Sequence, residues 1–294
     1  ILIMLNIYII LSLSINLIVG YTGLLTLAHA AFYALGAYAY TLLIINFNIA
    51  FPIAFLLAIL IVFISSFLLS FPIIRLKGDP FIIATLGIQV IVYTLLYNWT
   101  GLTKGSFGIP GIPKPALLGF TFDSMQDFLI LSSILMIIVL FIFISISRSQ
   151  FALILKGIRE DELSIISGGR NPDEFKRYAF VIGSSFAAIS GFLFATYITY
   201  IDPTSFTIDE SIFILSIIII GGSGNITGPV LGSVILVLLP EILRFIGIPD
   251  SVAANLRQIG ISKGDRIVTI LPTVPEYIYL YLEATMLGAI KCPM

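Results

Sequence analysis

Few side chains in this sequence could perform catalytic chemistry, and they stand apart from one another. The 294 residues include a single His, His29, and a single Cys, Cys292. The H-E-x-x-H motif of a zinc protease is absent, and none of the apolar segments predicted below carries a pair of Asp residues. One cysteine excludes an intrachain disulfide and a thiolate metal cluster. The sequence therefore predicts no catalytic residue, no metal site and no cofactor.

The charged residues concentrate in one block, residues 148–178. Its sequence, RSQFALILKGIREDELSIISGGRNPDEFKRY, contains six Lys/Arg and five Asp/Glu, whereas the first 74 residues contain none of these types. The acids at 160–162 would favour a helix N-terminus through the macrodipole, the glycines at 168–169 would end that helix, and 171–172 would start another. The pattern predicts two helices that dock onto another protein; a solvated loop is the alternative.

The composition indicates which elements surround this block. Hydrophobic residues make up 59% of the chain and charged residues 11%, with a mean hydropathy of +1.11, whereas soluble domains are about 25% charged. Such a chain is expected to be a polytopic helical membrane protein. A net charge of −1 gives no indication of a nucleic-acid partner. Ile1 stands where an initiator Met would be, so the natural start, and a span with it, could lie upstream.

Seven apolar segments are predicted to be membrane spans. The opening segment lacks a basic region and a cleavage site, so it is predicted to be a span and not a signal peptide. The last contains the Gly-rich stretch 221–229, and its flanking pieces are too short to cross alone; it is either one broken span or two half-helices that enter and return. The fold class is therefore all-α polytopic, with roughly seven or eight spans including broken or re-entrant helices. The segments are 1–19, 24–45, 51–74, 81–99, 127–147, 179–201 and 211–239.

Orientation follows from Lys and Arg in the short loops, which concentrate on the cytoplasmic side. With the block inside, alternation places 75–80 inside and both 100–126 and 202–210 outside. The inside count of Lys/Arg is then eight and the outside count two, Lys104 and Lys114. The placement of 240–258 stays open.

Two Gly-interrupted segments, Gly20–Gly23 and Gly221–Gly228, occupy corresponding places in the two halves of the chain. Paired breaks of this kind indicate a substrate path near the membrane midplane, although they serve helix packing equally well. His29 lies among small residues, where one hydrogen bond to a neighbouring helix is favoured over substrate binding. The residues predicted to line the path are Thr22, Thr26, His29, Asn225 and Thr227.

The last 36 residues, 259–294, have a different character. Six charges occur there; Arg266–Leu271 is predicted to be a strand, and Pro275–Gly288 a helix whose Glu283 would be costly in lipid. This stretch resembles the early N-terminal segment of adenylate-forming acyl-CoA synthetases, with a KGDRV-type strand, an LPN-x-PE turn and a helix ending in LGA. The phosphate loop of that family is absent. The tail is therefore predicted to be a chimaeric fragment that forms no complete domain; a final span at 267–290 is the alternative.

Four motifs in the rest of the chain agree with one family. The stretch Gly20–Tyr38, GYTGLLTLAHAAFYALGAY, resembles the G-x-x-S-L-G-H-A-A-F-x-G-x-G-A-Y sequence in membrane permeases of branched-chain amino acid ABC importers, the larger of two paired subunits. Residues 101–113 resemble the external TGG-x-x-G-x-x-G-I-P loop, 158–163 the A-I-R-E-D-E-L-A-A sequence, and 221–241 the GG-x-G-x-x-x-GP-x-x-G…LPE sequence. The resemblance covers roughly residues 1–258, with departures at Ala28, where the family has Gly, and at 169–171.

The resemblance implies the permease subunit of an ATP-driven importer in the plasma membrane, without enzyme activity of its own. Its implied partners are cytoplasmic ATP-binding subunits, a second permease subunit, an external substrate-binding protein and the lipid bilayer. Permeases for urea, short amides or another amino acid share much of the pattern; an ion-coupled secondary transporter or a scaffold subunit is a more distant alternative. The residues implied to couple to the ATPase are Ile158, Arg159, Glu160, Asp161, Glu162, Leu163, Ile166 and Gly168.

Overall fold

The computed structural model describes residues 1–117, 120–245, 266–269 and 290–293. Within them, seven helical segments are long and apolar enough to cross a membrane, which confirms the all-α polytopic fold. The helices are α1 (Leu2–Thr22), α2 (His29–Phe47), α3 (Phe51–Ile73), α4 (Asp79–Asn98), α5 (Thr100–Thr103), α6 (Met125–Ser147), α7 (Gln150–Glu160), α8 (Glu162–Ser167), α9 (Pro172–Ile198), α10 (Ile208–Gly221) and α11 (Thr227–Phe245). The strands are β1 (Ile109–Pro110), β2 (Ala116–Leu117), β3 (Phe120–Thr121), β4 (Tyr200–Ile201), β5 (Arg266–Thr269) and β6 (Ile290–Pro293).

Local sequence signals set several helix ends. Pro residues occupy the first turn of α3, α4 and α9, where the missing N–H is not needed and the fixed φ suits a helix. Asn171 caps α9, because its side-chain oxygen accepts a hydrogen bond of 3.2 Å from the Asp173 N–H. Gly23 ends α1 with a left-handed φ of 76°, which glycine adopts without a steric cost.

The centre of the bundle is formed by α1, α2 and α9. If Gly36 carried a Cβ atom, that atom would lie 2.4 Å from the Ala188 Cα. A Cβ atom added to Gly191 would lie 2.4 Å from the Tyr33 carbonyl oxygen. The backbones of α2 and α9 are therefore in direct contact, as small residues permit between membrane helices. By contrast, α3, α4 and α6 expose many large apolar side chains, as helices facing lipid would.

The loops fall at the two ends that alternation predicts. Lys77, between α3 and α4, forms an ion pair of 3.1 Å with Glu162 of the charged block. At the other end of α4 and α9, β1 pairs antiparallel with β4, with Ile109 opposite Ile201. The loops at 75–80 and 148–178 therefore share one end of the bundle, and those at 100–126 and 202–210 share the other.

The broken segment at 211–239 forms two helices that run in opposite directions. A side-chain carbon on Gly221 would lie 2.0 Å from the Gly228 carbonyl oxygen, and one on Gly232 would lie 2.1 Å from the Ile217 oxygen. Contacts that spread outward from the turn in this order require an antiparallel hairpin. The first helix, with the turn before it, forms a 19-residue segment, Pro203–Gly221, that is long enough to cross a membrane, so the prediction that this piece is too short to cross alone is wrong. Helix α11 continues to Phe245, and residues 246–258 lie outside the described part of the chain.

Two predicted helix starts are wrong. Helix α2 begins at His29 and not at residue 24, because the N–H groups of Leu24 and Ala28 bond to the Thr22 and Thr26 hydroxyls and the connection stays non-helical. Helix α10 begins at Ile208, ahead of the predicted 211, because an acidic first turn is tolerated at a helix N-terminus.

The charged block contains one helix more than predicted. Helix α7 runs to Glu160 and precedes α8. Helix α9 begins at Pro172 with Asn171 as its N-cap, which confirms the start predicted at 171–172.

The chain divides into two units, Ile1–Val234 and Ile235–Met294. In the second unit β5 and β6 pair in parallel, from Arg266 opposite Ile290 to Thr269 opposite Pro293. The strand predicted at Arg266–Leu271 is therefore confirmed over Arg266–Thr269. The predicted domain boundary at 258–259, the predicted helix at 275–288 and the interior of the alternative span at 267–290 lie outside the described residues.

Candidate functional site

The two glycine breaks meet in the structure. A side-chain carbon on Gly20 would lie 2.6 Å from the backbone nitrogen of Gly224, so the last turn of α1 touches the α10–α11 turn directly. Asn16 joins them: its Nδ2 donates to the Asn225 carbonyl oxygen at 2.7 Å, and its Oδ1 accepts from the Gly224 N–H at 3.1 Å. Segments more than 200 residues apart in sequence thus form one joint, which we call the glycine joint (Asn16, Gly20, 223–225).

Arg159, in the last turn of α7, reaches into the glycine joint. Its Nη1 donates a short hydrogen bond to the Gly20 carbonyl oxygen, and its Nη2 lies 3.5 Å from the Ser223 Oγ. The Gly20 carbonyl belongs to the final turn of α1, where carbonyls lack helical partners and carry the negative end of the dipole. The guanidinium suits this pair of acceptors, because its two terminal nitrogens donate in different directions.

The outer part of the charged block is α8. Asp161 caps this helix by accepting from the Leu163 N–H at 3.0 Å. Hydrogen bonds from the Ser164 side chain and the Leu163 backbone lower the pKa of the Asp161 carboxyl. Leu163 and Ile166 expose 72% and 49% of their surface. An exposed apolar face thus sits on a helix among charged residues.

Glu162 anchors α8 to the bundle. Its carboxyl group binds Lys77 at 3.1 Å and Lys176, which is almost fully buried, at 2.9 Å. Partial burial raises the pKa of Glu162, but hydrogen bonds to Lys176 and Lys77, together with their positive charges, lower it by more. The carboxyl is therefore ionised at neutral pH and ties α8 to the α3–α4 loop and to α9.

The structure divides the residues predicted to couple to an ATPase. Ile158 is only 5% exposed and faces the bundle. Arg159 is exposed, but its guanidinium bonds to the glycine joint, and Glu162 is held in ion pairs. The other accessible residues of this set are Glu160, Asp161, Leu163, Ile166 and Gly168.

The residues predicted to line a path occupy three places. Thr22 and Thr26 are buried in the α1–α2 connection, where their hydroxyls bond to backbone groups. His29 is buried with its Nε2 2.6 Å from the Ser14 Oγ of α1. Asn225 accepts from the Gly228 N–H at 2.6 Å and contacts the Thr227 hydroxyl at 3.3 Å, within the α10–α11 turn.

Asn16 is the site residue that sequence reasoning missed. It is 1% exposed and lies in an apolar span, one turn before Gly20. A buried Asn in such a helix is costly unless it finds a partner on another helix. This position was the available signal, and the break at 221–228 offered the matching backbone groups.

A family model described as the permease component of branched-chain amino acid transport systems matches residues 1–261. The chain belongs to this family. It is 37% identical over 261 residues to the high-affinity branched-chain amino acid transport system permease protein LivM of Salmonella typhimurium, covering 81% of this chain and 61% of that protein. The LivM protein of Escherichia coli is 36% identical over 261 residues, which again cover 81% of this chain and 61% of that protein. A probable LivM of Methanocaldococcus jannaschii is 27% identical over 58% of this chain and 50% of its own length.

The chain thus spans about three fifths of the length of the two LivM proteins with 36–37% identity. No solved structure matches it. Family membership and the seven apolar helices identify a multi-pass protein of the cell membrane. The match ends at residue 261, close to the point where the sequence changes character.

Proposed function

We propose that the chain is the permease subunit of an ATP-driven importer for branched-chain amino acids, with ATP hydrolysed by separate cytoplasmic subunits. Support for the substrate comes from the names of its relatives, which are branched-chain amino acid permeases. A second permease subunit and an external binding protein complete the proposed assembly. Urea, short amides or another amino acid are the alternative substrates.

The observation that carries the proposal is the exposed apolar face of α8. Leu163 and Ile166 lie at the end of the bundle that is rich in Lys and Arg, which is the cytoplasmic end by the loop rule. Apolar side chains on a charged, solvent-facing helix have no lipid to cover them and are expected to fill a groove on a partner. The occupant we propose is an ATP-binding subunit.

A substrate path next to the glycine joint is the second part of the proposal. Asn225 and Thr227 present polar groups at the α10–α11 turn, and Thr22 and Thr26 do so in the α1–α2 connection. An ion-coupled secondary transporter is disfavoured. In α1–α4, α6, α9 and α10, every Asp, Glu, Lys and Arg lies within the first two turns of its helix, and in α11 Glu241 and Arg244 lie within the last two, whereas ion coupling usually uses an ionisable group near the middle of a span.

Replacing Leu163 by Ser is expected to lower the amount of co-purified ATP-binding subunit about tenfold, because a well-buried anchor contributes about that much to an interface. Leucine uptake should fall in parallel. The measurements are co-purification from membranes and uptake by proteoliposomes that contain the chain with its transport partners and enclosed ATP. Leu163 is a cleaner target than Glu162, whose replacement would also break the ion pairs to Lys77 and Lys176.

Leu153→Ser is the matched control, because Leu153 of α7 is also 72% exposed but lies outside α8. It should leave co-purification unchanged. Equal losses in both variants would contradict docking through α8. Urea uptake without leucine uptake would favour the amide-importer alternative, and ATPase binding without any uptake would favour a scaffold.

We also propose that the tail 259–294 is a separate, synthetase-like segment that is not part of the permease bundle. Its support is the end of the family match at residue 261 and the parallel pair β5–β6, an arrangement typical of α/β proteins. Limited proteolysis of the protein in a bilayer is expected to cut near 258–264 and to leave the preceding spans intact. Full protection of the tail would contradict this proposal.

A further inference from the structure

Arg159 is the contact between the α8 docking helix and the glycine joint. Helix α7 ends at Glu160 and α8 begins at Glu162, so Arg159 lies within one turn of the exposed docking face. At the same time its guanidinium touches α1 through Gly20 and the α10–α11 turn through Ser223. A displacement of α8 is therefore transmitted to Arg159 over a few ångströms of backbone.

The glycines around Arg159 leave room for its side chain. A side-chain carbon on Gly224 would lie 2.9 Å from the Arg159 Nη1, and one on Gly23 would lie 3.2 Å from the Arg159 Cγ. Both glycines also have left-handed φ angles, 87° and 76°, which non-glycine residues rarely adopt. The backbone is thus shaped to admit this arginine between the two breaks.

The other contacts of the block lie away from the α10–α11 turn. Glu162 holds α8 to the almost fully buried Lys176 of α9 at 2.9 Å and to Lys77, whose side chain is 67% exposed, and water and salt weaken the pair with Lys77. Lys156 of α7 lies over the Tyr21 ring at 5.2 Å, a contact with α1 that does not involve the α10–α11 turn. Arg159 alone among these cations bonds to both glycine breaks.

We infer that Arg159 is a positioning residue that holds the cytoplasmic ends of α1 and the α10–α11 hairpin together, and that movement of α8 by the ATPase releases them. The inference rests on the proposed function for the source of the motion. The holding contact itself is a property of this chain alone and can be measured without partners.

The first experiment compares hydrogen–deuterium exchange of the full chain with that of Arg159→Gln, in lipid nanodiscs. Exchange in peptides covering 20–28 and 220–228 is expected to rise about tenfold or more, because a charge-assisted hydrogen bond is lost. Exchange in the α2–α9 core should stay unchanged. Arg159→Lys, which can bond to one acceptor but not both, should give an intermediate increase.

Lys156→Gln is the matched control, since it removes a cation from the same face of α7 without touching the α10–α11 turn, and it should leave the 220–228 peptide as slow as in the parent. Equal exchange in Arg159→Gln and the parent, or a uniform rise across the bundle, would overturn the inference.

The second experiment separates this inference from the proposed function. In proteoliposomes with the transport partners, Arg159→Gln is expected to retain the ATP-binding subunit, because Leu163 and Ile166 are untouched, and to lose at least about tenfold of leucine uptake per ATP hydrolysed. If the parent chain itself binds no ATPase, the proposed function fails. If the parent takes up leucine on ATP hydrolysis and Arg159→Gln shows the same uptake per ATP hydrolysed, only the inference fails.

Discussion

Replacing Gly191 by Ala is expected to destabilise the bundle strongly, because the new carbon would lie 2.4 Å from the Tyr33 oxygen and 2.6 Å from the Ala37 nitrogen. Both are backbone atoms inside the α2–α9 contact, so neither can rotate away. Overpacking a core usually costs about 1–3 kcal/mol, and we expect about 3 kcal/mol or more here, where two helix axes would have to separate. Thermal unfolding in detergent, followed by size-exclusion chromatography, measures the loss.

Gly87→Ala provides the control within the same protein. Gly87 lies in α4, and nothing stands within 4 Å of the position of its added carbon. Since Ala favours a helix over Gly by about 0.5–1 kcal/mol, this variant should melt at the parent temperature or slightly above it. A Gly191→Ala protein that melts with the Gly87→Ala protein would show that the α2–α9 contact is loose.

Helix positions followed from the sequence where local chemistry decides them. In lipid, an apolar run of about 20 residues must bond its backbone N–H and C=O groups internally, which an α-helix does. Pro52 and Pro172 mark the beginnings of α3 and α9. The prediction failed at residue 24 because hydroxyl-to-backbone bonds in the α1–α2 connection compete with helical ones. Those bonds depend on the folded chain, and hydropathy carries no signal for them.

The candidate site shows a second limit of sequence reasoning. The charged block predicts a docking segment, but composition cannot tell which of its charged side chains bond to the bundle. Arg159 and Glu160 are neighbours in sequence and both are exposed, yet Arg159 bonds to the glycine joint. Likewise the two glycine breaks were visible separately, while their meeting through Asn16 depends on how α1 packs against α10 and α11.

Asn16→Leu is expected to separate the two breaks while keeping the branching and the number of heavy atoms of the side chain. The Gly224 N–H and the Asn225 carbonyl would lose a part-buried hydrogen bond each, and a net loss of about 0.5–1.5 kcal/mol per bond should destabilise the joint by about 1–3 kcal/mol. Leucine uptake should fall even at temperatures where the bundle remains folded, because the α10–α11 turn would no longer be held against α1. Uptake and thermal unfolding, measured on the same preparation, distinguish these two effects.

Asn98→Leu is the comparison for this variant. Asn98 is exposed at the end of α4, and its Nδ2 bonds to the Thr94 oxygen of its own helix at 2.8 Å. Its replacement leaves no buried group unpaired, so the change in stability should stay within about 0.5 kcal/mol. If Asn16→Leu behaved like Asn98→Leu in both measurements, the glycine joint would be a packing contact alone, and the link from Arg159 to the membrane path would have no element to act on.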